Sequence, residues 1–334
     1  MLKEIRSLRI FAKEHHQVSI VKTQKRHLGI ILTLIAVLLL AFYTIIFKKE
    51  YSDQKMSRVI SAAFVDFFFL HLFMTLVFFI FCIANGKKYL KPEKPKLIVW
   101  RSIFAILSFC FYSLSVIWSK KLDNSILYGT DAFWVALLLY PLGIKIDKIA
   151  LSGIFIGLAG IIFVYFFDIN SLYDFIGGIM GTLSGFTLAV VVIMSSYMVK
   201  NDPPLRICLY NALIGCIVSG IFSLFYGFTI GWLSLTINDI VISIFSGLLF
   251  SLILFCFLEA YFYTESYIIA SISYFLPVFI VVINWIILQK ALPITTIVGS
   301  FIIVLGSLTV ISSSFLKEKR KKLKYYVDSS ISKK

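Results

Sequence analysis

Acidic side chains are scarce: 17 Asp and Glu stand against 32 Lys and Arg in 334 residues, of which only 15% are charged. Proline occurs seven times and histidine four. The five cysteines are Cys82, Cys110, Cys208, Cys216 and Cys256. Each lies in an apolar run, with no CxxC pair and no histidine at ligand spacing, which argues against a disulfide framework or a zinc site. They read as small core residues. No P-loop is present, so ATP does not drive the chain directly, and no HExxH zinc motif occurs. Ser184-Gly185 and Ser246-Gly247 lack the glycine two residues before the serine that an intramembrane serine protease of the GxSG kind needs. Tyr173-Asp174 is followed nowhere by GxGD, which leaves an intramembrane enzyme a remote alternative. No enzyme activity, cofactor or metal ion is expected.

Apolar residues are abundant instead, at 60% of the chain, and the mean hydropathy is +0.94. A soluble core does not need that composition, and a protein crossing a bilayer many times does. Apolar runs of about 20 residues, the length needed to cross ~30 Å of hydrocarbon, predict ten spans. They are Leu28–Phe47, Ile60–Ala84, Leu97–Trp118, Asn124–Ile144, Ile149–Phe167, Phe175–Val199, Arg206–Gly231, Asp239–Phe262, Tyr267–Gln289 and Ile294–Leu316. The expected fold is all-α and integral to the membrane, with polar tails at 1–27 and 317–334 and no room for a soluble domain.

The placement of the basic residues sets the orientation. If both tails are cytoplasmic, the inner segments hold 24 Lys and Arg and the outer loops seven. That asymmetry is the positive-inside rule, and it predicts a multi-pass inner-membrane protein with both ends in the cytoplasm. The same pattern explains the net charge of +15 without nucleic acid. The basic tails read as topology signals attracted to anionic lipid, so the bilayer is the expected partner. Residues 1–27 carry Glu4, Glu14, His15 and His16 among the basic residues, and no cleavage site follows an apolar run, unlike a secretory signal. Leu2, Ile5, Leu8 and Ile10 are spaced for a short amphipathic helix on the inner leaflet. Lys outnumbers Arg 25 to 7, a signature of A+T-rich genomes such as those of bacteria living inside host cells.

The chain also repeats itself. At an offset of 146 residues, Phe104–Val164 aligns without a gap on the later segment, with 15 identities in 61 positions. Chance in so Phe- and Ile-rich a chain gives about six. Phe109, Cys110 and Phe111 fall on Phe255, Cys256 and Phe257, Asp131 falls on Pro277, and Gly153 and Gly160 fall on Gly299 and Gly306. Two copies of five spans follow, 28–167 and 175–316. An odd number of spans per copy forces the second to enter the membrane inverted, an arrangement that places a substrate site at the midplane between the copies.

These features resemble the EamA-type branch of the drug/metabolite transporter superfamily, over roughly Leu28 to Leu316. The matching pieces are Arg101 opening the third span, the ninth span SYFLPVFIVVINWIILQ with Pro277 in its middle, and paired glycines on the fifth and tenth spans. The chain departs from the family at Asp131, where proline is common, and at Gln289-Lys290, where an acidic residue is common. The resemblance implies a metabolite transporter whose cavity is lined by helices of both copies, notably the third, fourth, eighth and ninth.

Ionisable residues within spans are the informative ones, because each is costly facing lipid. They are Asp66, His71, Arg101, Asp131 and Glu259. At ~1.5 Å per residue, Asp66 and Asp131 lie about 9 and about 10 Å below the outer surface. Arg101 and Glu259 lie near the cytoplasmic ends of equivalent spans, where snorkelling or a loop lysine offers a plainer account. Asp66 also reads as interfacial, and His71 as a core hydrogen-bonding residue. Asp131 resists a plain reading, with Tyr128 and Trp134 three residues to either side and so on one helix face. Tyr112, Tyr261, Tyr274 and Trp285 are further aromatic candidates, although many aromatics must simply pack. Asn284 and the pair Tyr210-Asn211 are expected chiefly to bridge helices. Pro277 lacks an amide donor and should kink the ninth span and free a carbonyl near Ser273.

The expectation is a secondary transporter of a small polar metabolite, working as monomer or homodimer. Substrate-binding candidates are Asp131, Trp134, Tyr128, Arg101, Glu259, Tyr112, Tyr261, Tyr274 and Trp285; coupling candidates are Asp66, His71 and Asp131. Intramembrane acids, one arginine and many rings suit a ligand with a cation, a carboxylate and a flat ring, held in part by cation–π attraction. S-Adenosylmethionine, exchanged for S-adenosylhomocysteine, has all three, and the resemblance extends to importers of that compound. Cationic or aromatic amino acids and drugs remain alternatives.

Overall fold

The computed structural model describes residues 25–51, 56–118, 127, 129–144, 146–168, 172–227, 237–289 and 294–331. Leu2–Ile10 and Tyr128 lie outside these residues. The described residues form helices α1 (Arg26–Tyr51), α2 (Met56–Ala84), α3 (Pro95–Trp118), α4 (Asp131–Leu139), α5 (Lys148–Asp168), α6 (Leu172–Met198), α7 (Pro204–Gly227), α8 (Ile237–Tyr263), α9 (Ser266–Ser273), α10 (Phe275–Leu288) and α11 (Ile294–Ile331). A 3₁₀ turn, Lys87–Leu90, links α2 to α3, and there is no strand among them. The fold is all-helical and integral to the membrane.

Nine helical segments among the described residues are long and apolar enough to cross a bilayer, with α9 and α10 together counting as one from Ser266 to Ile286. The fourth expected span is the exception. Of Asn124–Ile144, residues 124–126 and 128 lie outside the described residues. Within the described part Leu127, Gly129 and Thr130 are 3₁₀ turn, and α4 adds nine α-helical residues, about 14 Å at 1.5 Å per residue. Its apolar flank at Tyr140–Gly143 is turn, with Gly143 at φ 76° closing it. The last helix differs in the other direction: it does not end near Leu316 but continues through the basic tail to Ile331. Lys, Glu, Arg and Leu all favour helix, and nothing in that stretch breaks one.

The helices pair in a pattern with its own symmetry. α5 packs most extensively on α11, α2 on α7, α3 on α6, and α1 on α8. Exchanging each span with the one five later returns this set unchanged, since α2/α7 and α5/α11 map onto themselves while α1/α8 and α3/α6 trade places. Several lesser pairs obey the same rule, α4 on α6 answering α1 on α9 and α10, and α3 on α7 answering α2 on α8. α4 and α9, the first half of the broken ninth span, meet at the centre. There the Tyr274 ring lies over Gly157, where a Cβ would collide with it.

At one end of the bundle the helix ends are tied together by polar contacts. Arg26 pairs with Glu265 at 2.7 Å and donates to the Ser314 carbonyl at 2.7 Å. Ser313 donates to Asp147 at 3.0 Å. Beside them Asp202 pairs with Arg206 at 2.6 Å and accepts the Glu93 amide at 3.0 Å. Tyr210 donates to the Leu90 carbonyl at 2.6 Å, and Lys94 donates to the Tyr197 hydroxyl at 2.8 Å.

Candidate functional site

A cavity of about 100 Å³ lies at the centre of the bundle, lined from α1, α2, α3, α4, α6, α7, α8 and α9. Its polar lining is His71, Arg101, Ser108, Tyr112, Asp131, Asn211, Tyr261 and Ser273, and rings of Phe109, Phe250 and Phe257 supply much of the rest.

Asp131 is fully buried and is the first residue of α4. Following a 3₁₀ turn, it lies at the positive end of that helix's dipole. The carboxylate lies against the Ala132 amide and the Ser273 hydroxyl. Among the described residues neither of its oxygens has a hydrogen bond of ordinary geometry. Ser273 reaches the cavity because the ninth span breaks at Tyr274. The break falls three residues before Pro277, which cannot donate to the Ser273 carbonyl. The Ser271 carbonyl at the end of α9 accepts from the Ser307 hydroxyl at 2.8 Å and from the Tyr274 amide at 3.3 Å.

Arg101 reaches the cavity from α3 and is 2% exposed. Its Nε donates to Ser195 of α6 at 3.0 Å and Nη1 to the Asn211 amide oxygen at 2.6 Å. No carboxylate among the described residues forms an ion pair with it. Two neutral acceptors on two helices therefore fix the guanidinium, leaving its charge available to an anion. Its position near one end of α3 does not separate it from Asp131, since both line the same space.

His71 is buried on α2, its Nδ1 2.8 Å from the Phe67 carbonyl and its ring edge-on to Phe109. It packs against Gly215 of α7, where no side chain would fit. Tyr112 lies 2.5 Å from the Thr44 hydroxyl of α1, and Tyr261 faces the cavity from α8.

The remaining candidates lie elsewhere. Trp134 is not in the cavity lining; its ring packs on Phe133 and Phe186, with centroids 5.3 and 5.4 Å away. Tyr274 is fully buried and donates to the Ile154 carbonyl at 3.1 Å, so it is a strut between α9 and α5. Trp285 is 55% exposed on the outside of the bundle. Glu259 lines a different cavity, between α2, α7 and α8. Asp66 is half-buried on α2 and outside the central lining. Asn211, expected mainly to bridge helices, both bridges and lines the cavity; an amide in an apolar span was its signal. Ser273, Phe109 and Phe250 gave no signal of their own. No group of three or more metal-ligating side chains gathers among the described residues.

Residues 175–312, from the start of α6 well into α11, match the EamA-like transporter family. The chain carries an EamA-like transporter domain. A solved crystal structure of a protein superposes with a TM-score of 0.68 at 13% identity, covering 85% of this chain and 97% of that one, which shows the shared fold. No curated protein matches. Proteins of the EamA family are drug/metabolite-type transporters and not enzymes. The EamA segment supplies Asn211, Tyr261 and Ser273 to the cavity, while Arg101, Asp131 and His71 come from the half before it.

Proposed function

We propose that the chain is a secondary transporter that carries a small zwitterionic metabolite through the central cavity by alternating access between two inverted repeats, 28–167 and 175–316. The observation that carries this reading is the pairing of one buried guanidinium and one buried carboxylate on the same enclosed space. Arg101, fixed by Ser195 and Asn211, takes the carboxylate of the solute. Asp131 takes its cation, and in an empty carrier a proton. Phe109, Tyr112, Phe250 and Tyr261 supply faces for a ring or a sulfonium. Both termini are cytoplasmic, the membrane is the inner membrane, and the protein works as monomer or homodimer.

S-Adenosylmethionine, taken up and exchanged for S-adenosylhomocysteine, meets each of these requirements. The volume of about 100 Å³ is well below the ~300–1,000 Å³ of ordinary ligand pockets. An adenosyl compound therefore requires the helices to part, whereas a free amino acid asks less of them, and that observation keeps the amino-acid reading alongside. Competition for uptake decides between them. Unlabelled S-adenosylhomocysteine should block entry of labelled S-adenosylmethionine while excess lysine, arginine and phenylalanine do not; the reverse pattern selects the amino-acid carrier.

A further inference from the structure

α2, α7 and α8 leave a second cavity between them at the end of the bundle where Arg26, Asp202 and Arg206 are tied. Its volume, about 520 Å³, is several times that of the central one. Phe78, Phe81, Leu248, Leu252 and Phe255 form its walls. Phe81, Leu248 and Leu252 are 55%, 51% and 50% exposed, so the slot opens sideways, through the apolar belt that the bilayer covers. An occupant entering that way comes from the lipid.

One carboxylate lies in this slot. Glu259 sits on α8 four residues before the helix ends at Tyr263, about 6 Å from that end at 1.5 Å per residue, which is headgroup depth. Its Oε1 accepts from the Tyr263 hydroxyl at 3.2 Å, and it forms no ion pair among the described residues. A carboxylate held against phenylalanine and leucine at the edge of a membrane favours a cation in its place. At the mouth Tyr89 lines the slot, and two residues later Lys91 is exposed. A basic residue there attracts phosphate.

We infer that this slot holds a phospholipid with a primary ammonium headgroup, drawn from the surrounding leaflet. The ammonium pairs with Glu259, the phosphate lies toward Lys91, and one acyl chain runs along Phe81, Leu252 and Phe255. The inference does not depend on what the central cavity carries.

The test is lipid retention by the full-length protein, purified in mild detergent and weighed intact by native mass spectrometry after mixing with phosphatidylethanolamine or phosphatidylglycerol. Phosphatidylethanolamine should be retained about tenfold better, the worth of one charged contact. Glu259→Gln should remove that preference and leave phosphatidylglycerol unchanged. Leu252→Trp, which fills the slot from its lipid-facing side, should lower retention of phosphatidylethanolamine while Glu259 stays in place. Equal retention of the two lipids by the unaltered protein overturns the inference, as does an unchanged preference in Glu259→Gln.

Discussion

Gly153 of α5 lies against the backbone of Gly306 of α11: a Cβ built on either would stand 2.7 Å from the carbonyl oxygen of the other. The sequence register places Gly153 on Gly299 and Gly160 on Gly306, and it therefore sends this contact to Gly160 with Gly299. That contact exists, with a Cβ on Gly160 3.0 Å from the Gly299 oxygen. One relation between two glycines thus reproduces the other under the exchange that also returns the helix pairings. The crossing lets α5 and α11 approach at backbone distance, as small residues do in membrane helix pairs.

Gly306→Ala should therefore be costly, because the atoms its methyl would meet are backbone atoms of Gly153 and Gly157 that cannot move aside. Overpacking of this kind costs about 1–3 kcal/mol. The thermal midpoint of the protein in detergent should fall measurably, and a midpoint equal to that of the unaltered protein contradicts the crossing.

Trp285→Ala should leave transport within about twofold, since the ring faces outward and a lipid-facing truncation gives up little packing. Tyr261→Ala, on the cavity wall, should reduce transport far more. Uptake by the two variants at equal expression checks both, and the opposite ranking removes Tyr261 from the site.

How far the sequence reached is visible in these residues. The all-helical fold was legible because it depends on hydropathy, and the glycines that meet between α5 and α11 because they recur in register. Arg101, Asp131 and His71 were legible because charge inside an apolar run is conspicuous. Trp134, Tyr274 and Trp285 were misplaced because an apolar span does not announce which way it is rotated, and aromatic rings are equally at home in a cavity, a core or lipid. The short α4 and the break at Tyr274 were hidden for a related reason. The run from Asn124 to Ile144 is apolar whether or not it is one helix, and Pro277 marks a break without fixing its residue. Asp131 consequently opens α4, and Trp134 of the same helix packs on Phe133 and Phe186 instead of lining the cavity with it.

Arg101→Lys keeps the charge and gives up the planar fork that Ser195 and Asn211 hold. Affinity for a carboxylate-bearing solute should fall about tenfold or more, one to two charge-assisted hydrogen bonds' worth. Asn211→Ala should move affinity in the same direction by leaving the guanidinium mobile. Half-saturation for uptake is the readout, and unchanged values in both variants dismiss Arg101 as the anion site.

Orientation is tested by reporter fusions. The excess of 24 basic residues over seven predicts cytoplasmic signals at Lys94 and Lys200 and an external one at Asn170. An external signal at Lys94 reverses the assignment of the tied end of the bundle to the cytoplasm.

The central claim is that Asp131 meets the positive charge of the solute inside the cavity. Its most direct test is uptake of labelled S-adenosylmethionine, and in parallel of labelled lysine and phenylalanine, into vesicles containing purified protein or its Asp131→Asn variant. The variant keeps the shape of the side chain and removes its charge. The account predicts saturable uptake of at least one of these solutes by the unaltered protein, and its loss in Asp131→Asn with insertion and expression retained. Full uptake by Asp131→Asn would contradict it.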